Sequence, residues 1–465
     1  MENTPEASML LLGAFYDRVF PFAPYGRWLA YGGGPKQNEY FTHREFAFTL
    51  PDNTFVRPLS FTSMDALQAK LRQLKPIKFD LGAVYSVPPA QKRAVHPSAY
   101  VPREKELVVD IDMTDYDDLR TCCRGGAVCR RCWPLMAAAQ RVLDASLRDD
   151  FGFKHILWVF SGRRGIHGWV CDAAARALPD DARLAIVKYL DLARSASSGN
   201  RKLTLPPVLH PALQRAYDQV LRPAFVRTVL VGQQLLAHPS SAAAILSAIP
   251  DASVRASVAA EWDRIGKGAS RRPPHQEDDD EEESGDSDAS DDDTSEVTAA
   301  DGVTYRRDPP ATTKAKWRAL ETKLQQPLPR SSSTTTTNNN NTNTKQTQRE
   351  MVTLARDLIF QAMYPRLDAN VTTHVNHMLK SPLCVHPGTG KVCVPIAIED
   401  CDSFDPTTVP TVVDLIGELN SSMDVDDATP GWAKTSLKPY VEHFLAFIRD
   451  MEADMRLASR GTLTF

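Results

Sequence analysis

The sequence predicts an α/β chain, of the α+β kind, carrying an inserted helical portion, and three observations predict it. Over residues 1–190, short runs rich in β-branched and aromatic side chains alternate with amphipathic helical spacing. From about 181 to 267 the pattern turns helical and rich in Ala and Leu, with few strand signals. Two polar tracts then intervene, a Ser/Asp-rich acidic run over 273–300 and SSSTTTTNNNNTNT over 331–344, before apolar periodicity returns near 350. Neither tract can bury enough apolar surface to offset its chain entropy, so both are expected to be disordered. Composition therefore divides the chain into a mixed part over 1–190, a helical part over 191–265, a low-complexity insert over 266–349 and a further ordered part over 350–465.

The elements follow in order. Apolar spacing over 8–19 gives a helix that ends before Pro21 and Pro24. Strands are expected at 45–50, 54–56 and 79–85, with a helix over 66–74 capped by Ser63 or Asp65. LVVDIDM, 107–113, is a strand, and 134–150 an amphipathic helix rich in Ala and Leu. Residues 156–160 and 168–171 form a hairpin joined by 161–167. Short helices over 312–325 and 350–363 and a C-terminal helix near 439–457 complete the chain, and no internal repeat is found.

Composition excludes several classes. A net charge of −4, from 54 Lys+Arg against 58 Asp+Glu, hides an asymmetry: residues 277–296 hold 13 acidic side chains and no basic one. The remainder has 54 basic against 45 acidic side chains, a net +9 that suits a polyanionic partner. No run of 18 or more apolar residues exists, so no membrane-spanning helix is expected. The N-terminus has acidic residues before a short apolar stretch and no basic region, so it does not read as a secretory signal. Eight cysteines are too few for a disulfide scaffold, and four of them fall between 122 and 132.

Three constellations carry chemistry. In the 107–113 strand, Asp110 and Asp112 share a face while Val109 and Ile111 enter the core. Two such carboxylates, roughly 6–7 Å apart along the strand, repel unless a cation lies between them, and Mg²⁺ binds through one or two carboxylates plus substrate phosphates. A strand end entering the acidic turn of Asp115, Asp117 and Asp118 is the plainer alternative. Cys122, Cys123, Cys129 and Cys132 have the spacing of a closed tetrahedral Zn²⁺ site, structural because no nearby His or Glu supplies a hydrolytic set; buried unligated thiols are the alternative. In SGRRGIH, Arg163 and Arg164 offer planar forks for phosphate, with Ser161 and His167 as further donors. Alone the turn would read as solvated, but it follows a metal-type carboxylate pair by about fifty residues, as nucleotidyl transfer requires.

These stretches, VVDIDMTDYDD, CC-x5-CxxCW, DFGFKH-x-LW and SGRRGIHGWVCD in this order, resemble the small catalytic subunit of eukaryotic-type DNA primase, in the archaeo-eukaryotic primase superfamily. HREFAFTL and FDLGAVY extend the resemblance upstream. YPRLDANVTTHVNHMLKSPLCVHPGTGKVCVPI, FDPTTVPTV and KTSLKPYVEHF extend it downstream, leaving out the helical middle and the insert. The resemblance implies a prim fold: two mixed β-sheets around a catalytic cleft, with helices, a zinc-binding motif at 122–132 and an inserted helical subdomain. It implies that Asp110 and Asp112 bind catalytic Mg²⁺ or Mn²⁺ and that Asp368 completes the triad. Ser161, Arg163, Arg164, His167, Lys380 and His386 are implied to hold the nucleotide's triphosphate and sugar, and Arg57 and Asp80 to line its site, with Glu45 and Phe55 nearby. Phe55 stands where the family often has Tyr, which removes any hydroxyl contact there.

The function so implied is synthesis of short RNA primers from ribonucleoside triphosphates on single-stranded DNA by two-metal transfer. Implied partners are the iron–sulfur-containing large primase subunit and, through it, the catalytic and accessory subunits of DNA polymerase alpha, in the nucleus. Two other readings stay open at this point. One is a non-catalytic zinc-dependent nucleic-acid-binding subunit. The other is a different metal enzyme: a nuclease, a primase-polymerase or an end-joining polymerase.

Overall fold

A computed structural model of the chain describes residues 5–31, 37–191, 203, 205–269, 296–328, 338–421 and 429–461. Ten strands occur among them: β1 Arg44–Thr49, β2 Phe55–Leu59, β3 Lys78–Tyr85, β4 Pro102–Glu104, β5 Leu107–Asp112, β6 Ile156–Phe160, β7 Gly165–Val170, β8 Glu296–Thr298, β9 Thr304–Arg306 and β10 Leu379–Lys380. One sheet runs β10-β3-β1-β2, with β4 also on β3; a second runs β5-β7-β6; β8 and β9 form a separate hairpin. All the ladders are antiparallel.

The segment 379–396 ties the two main sheets together. At its start Lys380 pairs with Asp80 of β3, and at its end Phe160 donates to Val394 and Ile396 to Trp158 of β6, at 2.8 and 2.9 Å. One continuous apolar core fills the space behind both sheets, and it includes Phe46, Phe79, Val109, Ile111, Trp158 and Trp169. The C-terminal helix Lys438–Gly461 returns to the N-terminal region: Phe444 packs against Trp28, which meets Trp169 edge-on.

Local chemistry explains most boundaries. Helix Met64–Leu74 is capped by Ser63, whose hydroxyl accepts from Ala66 N at 3.2 Å, so of the two expected capping residues Ser63 is used. β5 stops at Asp112 because its carboxylate accepts from Thr114 N and turns the chain into a short 3₁₀ turn. The expected helix over 134–150 is α-helical to Ala145 and continues as a π turn, Ser146–Asp150.

Two expectations need correction. The last long internal helix does not begin at 350; it runs Asn338–Met363, so the Asn-rich end of the polar tract is helical. Packing of Met351 and Leu354, and the bond from Leu328 N to Gln348 Oε1 at 2.8 Å, anchor that helix, and extending an anchored helix needs no new nucleus, which offsets the poor propensity of the Asn run. Likewise the acidic tract ends in an ordered hairpin, β8–β9, not in a featureless run to residue 300; Ala300 N donates to Thr121 O at 2.9 Å. Residues 270–295 and 329–337, which take in most of the first tract and half of the second, lie outside the described residues. Between them helix Pro310–Gln325 is ordered, and its Trp317 packs against Phe225 of the helical portion.

A buried ion pair braces the base of β5. Arg44 meets Glu106 at 2.9 Å with both side chains fully inaccessible, and Tyr31 hydrogen-bonds both. Burial alone would raise the Glu106 carboxyl, but the Arg44 charge and hydrogen bonds hold it at about 2. Glu106→Gln would leave Arg44 an uncompensated buried charge, and a loss of about 3–5 kcal/mol is expected, read as a lowered thermal midpoint; an unchanged midpoint contradicts this account of the pair.

Candidate active site and cysteine cluster

The strand alternation holds: Val109 and Ile111 are buried while Asp110 and Asp112 sit half-exposed on the opposite face of β5. The neighbouring strand is β7, with Asp110 opposite His167 and Asp112 opposite Gly165. The expected seven-residue connection is therefore too long. Ser161–Arg164 form the turn, while Gly165 to His167 belong to β7. Gly165 looks like a turn residue in sequence, but its role is close approach. A Cβ there would lie 2.4 Å from Ile111 O.

His167 is thus a buried strand residue, not a hairpin donor, and its Nε2 lies 3.5 Å from Asp110 Oδ1. Burial, then the charges of Lys380 and Lys78, hold it well below the usual imidazole range, hence neutral; its Nδ1 is buried without a partner. Arg164 Nε donates to Asp112 Oδ2 at 2.7 Å, while Asp112 Oδ1 accepts from Thr114 N and Oγ1 at 2.8 and 2.7 Å. These bonds and the Arg164 charge overcome burial and lower the Asp112 carboxyl.

Asp368 joins this group through the backbone. Its N–H donates to Asp110 O at 3.0 Å, and its carboxylate caps helix Ala369–Thr373 by accepting from Asn370 N at 3.0 Å. Burial, then the Asp112 and Asp368 charges, push the Asp110 carboxyl up to about 7 against the pull of Lys380. The three carboxylates, two on β5 and one at residue 368, therefore crowd charge into one site, with Asp110 feeling both of the others. Their oxygens do not close to within 4.8 Å of each other, since Asp112 is drawn to Arg164 and Asp368 to its helix. No hydrogen bond among the described residues reaches the Asp110 carboxylate. Mutually repelling carboxylate oxygens, half-exposed at Asp110 and Asp112 and exposed at Asp368, are the hard donor set that a divalent cation fits.

Cations face them. Lys380 Nζ hydrogen-bonds Ser161 O, and the segment 383–393 folds back so that Thr389 Oγ1 donates to Gly162 O at 2.7 Å. This brings His386 beside the turn. Burial, then Lys380, Arg163, Arg164 and Lys78, lower its pKa to about 4, so it is a neutral ligand at physiological pH. Arg57 and Asp80 lie farther along the cleft, lining a cavity of about 420 Å³ with Phe55, Lys78, Asn376, His377 and Met378. Arg57 bonds Glu45 at 2.7 Å. Lys78 ion-pairs with Asp80 at 3.0 Å; the residue reading missed it, although β3 alternation puts residues 78 and 80 on one face. That reading also passed over Asp368, Lys380 and His386, which came from the resemblance.

The four cysteines are the one group of three or more His, Cys, Asp or Glu among the described residues whose ligand atoms gather within 4.8 Å. Sγ–Sγ distances are 3.6 Å for Cys122–Cys129 and 3.9 Å for Cys129–Cys132, and none is in a disulfide. Four thiolates about 2.3 Å from a tetrahedral centre would stand about 3.8 Å apart, so the sulfurs are already placed for a metal. Outside this cluster, Gln233 Nε2 donates to Cys122 Sγ at 3.4 Å, joining it to the helical portion. Cys171, Cys384, Cys393 and Cys401 are buried in the core, outside that cluster.

The sequence model described as DNA primase small subunit matches residues 109–398, a span that contains Asp110 and Asp112, the cysteines, the arginine turn, Asp368 and Lys380. The chain belongs to the DNA primase small subunit family. Curated members resemble it over most of its length: the DNA primase small subunit of Schizosaccharomyces pombe is 37% identical over 89% of this chain and 78% of its own. That of Drosophila melanogaster is 34% identical over 98% and 94%, and that of Saccharomyces cerevisiae 30% over 94% and 90%. Membership makes the chain a primase, an enzyme that makes primers by nucleotidyl transfer. As a small subunit in this family it works with a large subunit and with nucleic acid, and its catalysis is metal-dependent. No helix among the described residues is long and apolar enough to cross a membrane.

Proposed function

We propose that Asp110, Asp112 and Asp368 together hold the catalytic cations, Mg²⁺ or Mn²⁺, for synthesis of RNA primers on single-stranded DNA. The observation that carries this is the convergence of three charge-repelling carboxylates from β5 and residue 368 beside the turn Ser161–Arg164, with Lys380 bonded to that turn. Bound there, divalent cations supply Lewis acidity, favouring the ionised 3′-hydroxyl of the primer and neutralising the leaving pyrophosphate.

The chain's own groups do the rest. Asp110 and Asp112 set the axis of attack because β5 and its ladder to β7 hold them rigidly. Arg163, Arg164 and Lys380 lie where charge builds on the triphosphate, in a cleft that they enter already oriented, which favours the transition state over the ground state. Neutral His386 and the Ser161 hydroxyl add hydrogen bonds without further charge. His167 stands opposite Asp110 in the β5–β7 ladder, with Nε2 3.5 Å from Asp110 Oδ1, and on the same face adds a neutral donor toward the nucleotide. Arg57 and Asp80 with Lys78 line the sugar-and-base end of the cleft. The cysteine cluster holds Zn²⁺ in a structural role.

The folded unit of this reading comprises 1–190 and 350–465, with 191–265 as the helical subdomain and 266–349 as an insert. Its partners are the iron–sulfur large subunit and, through it, the catalytic and accessory subunits of DNA polymerase alpha, in the nucleus. The test is a priming assay with purified chain, a poly-pyrimidine template, ribonucleotides and divalent metal, with and without the large subunit. Metal-dependent release of pyrophosphate with a growing RNA product is expected; release of nucleotides from the template would mark a nuclease instead.

A further inference from the structure

We propose that Gly126, in the loop between Cys123 and Cys129, is the seat of Arg163, so that the cysteine loop positions one of the two turn arginines. This rests on the assignment of Arg163 to the triphosphate. The two arginines are held in different ways. Arg164 is paired with Asp112 at 2.7 Å. Arg163, exposed at the tip of the turn, has no carboxylate within ion-pair distance among the described residues. Its guanidinium lies directly on Gly126: a Cβ at residue 126 would stand 2.1 Å from Arg163 Nη2, 2.6 Å from Cζ and 2.7 Å from Nε. Only a residue without a side chain leaves room for it.

The loop beneath is fixed. Buried Arg120 donates to Ala127 O at 2.7 Å and to Gly125 O at 3.1 Å, and Gly125 N donates to Asp117 Oδ2 at 3.0 Å. Arg120 also reaches Cys132 Sγ at 3.9 Å, which couples the loop to the thiols. A guanidinium resting on rigid backbone keeps its charge unpaired yet loses little rotamer freedom when phosphate arrives. That is the preorganisation an arginine clamp needs. Of the two adjacent glycines, Gly126 makes room for Arg163, while Gly125 takes a left-handed turn with φ of 59°.

The test is a double-mutant cycle in the complex with the large subunit, reading KM and kcat for a ribonucleoside triphosphate together with bound zinc. The φ of Gly126 lies outside the left-handed region, so Gly126→Ala meets no left-handed strain; it forces the guanidinium to leave. Gly126→Ala is expected to keep its zinc, raise KM about tenfold and change kcat less than about twofold. Arg163→Ala is expected to raise KM at least as far, and adding Gly126→Ala to it to do nothing more. An unchanged KM in Gly126→Ala, or an effect that persists in the Arg163→Ala background, overturns the proposal. An unchanged KM in Arg163→Ala overturns the triphosphate assignment itself, and the proposal falls with it. Should Gly126→Ala lose zinc, Arg163→Lys decides. It keeps the charge but not the planar group, and a KM raised about fivefold is expected; a native KM would overturn the proposal.

Discussion

Asp110→Asn combined with Asp112→Asn is expected to lower nucleotide incorporation by at least about 10³-fold, since it removes two of the three carboxylates proposed to hold the catalytic cations. The protein should remain folded, because both side chains face the cleft and the core of β5 is carried by Val109 and Ile111. The single change Asp110→Asn adds a stability signature. The Asp110 carboxyl titrates near 7 when folded, above its ordinary value, so the metal-free folded state binds more protons than the unfolded state between about pH 4 and pH 7. Its contribution is therefore intact at low pH and lost as pH rises through about 7. The amide has no such loss, so metal-free Asp110→Asn should gain thermal stability relative to the native chain at pH 8 and not at pH 4. Retained primer synthesis in the double variant, or equal stability differences at both pH values, would refute the assignment.

Lys380→Met has the second largest expected effect, a fall in kcat/KM of about 10²-fold or more, as for loss of a preorganised charge aimed at developing negative charge. Lys380 is the cation common to the environments of Asp110, His167 and His386. Its loss also removes a bond to Ser161 O, but Cys393 Sγ still reaches that oxygen at 3.3 Å, so the turn keeps an anchor. Two secondary readouts separate charge from architecture. The His386 imidazole should titrate at higher pH once a neighbouring cation is gone, and the thermal midpoint should barely move. A native kcat/KM with a lowered midpoint would make Lys380 a structural tie between the sheets.

Much of this site was legible along single strands, and little of it across them. The period-two alternation of LVVDID revealed Asp110 and Asp112 because a strand encodes its faces locally. The cysteine spacing was equally local. The arginine turn was found, but its length was misjudged: Gly165 reads as punctuation, and only its contact with Ile111 O shows that it continues the ladder. Asp368 carries no local mark, since its place depends on one hydrogen bond to Asp110 O, made by a segment far downstream. Lys380 reaches Ser161 across 219 residues in the same way. The helix from Asn338 was missed because Asn disfavours helix interiors, and tertiary anchoring at its other end decided the matter.

The central claim is that the carboxylates of Asp110, Asp112 and Asp368 and the cations of the arginine turn form a single metal–triphosphate site. Its most direct measurement is nucleotide affinity in the presence and absence of Ca²⁺, chosen to support binding without turnover, in the native chain and in Asp368→Asn. The account predicts that Ca²⁺ tightens triphosphate binding at least about tenfold in the native chain and only marginally in Asp368→Asn. Equal tightening in both would contradict it.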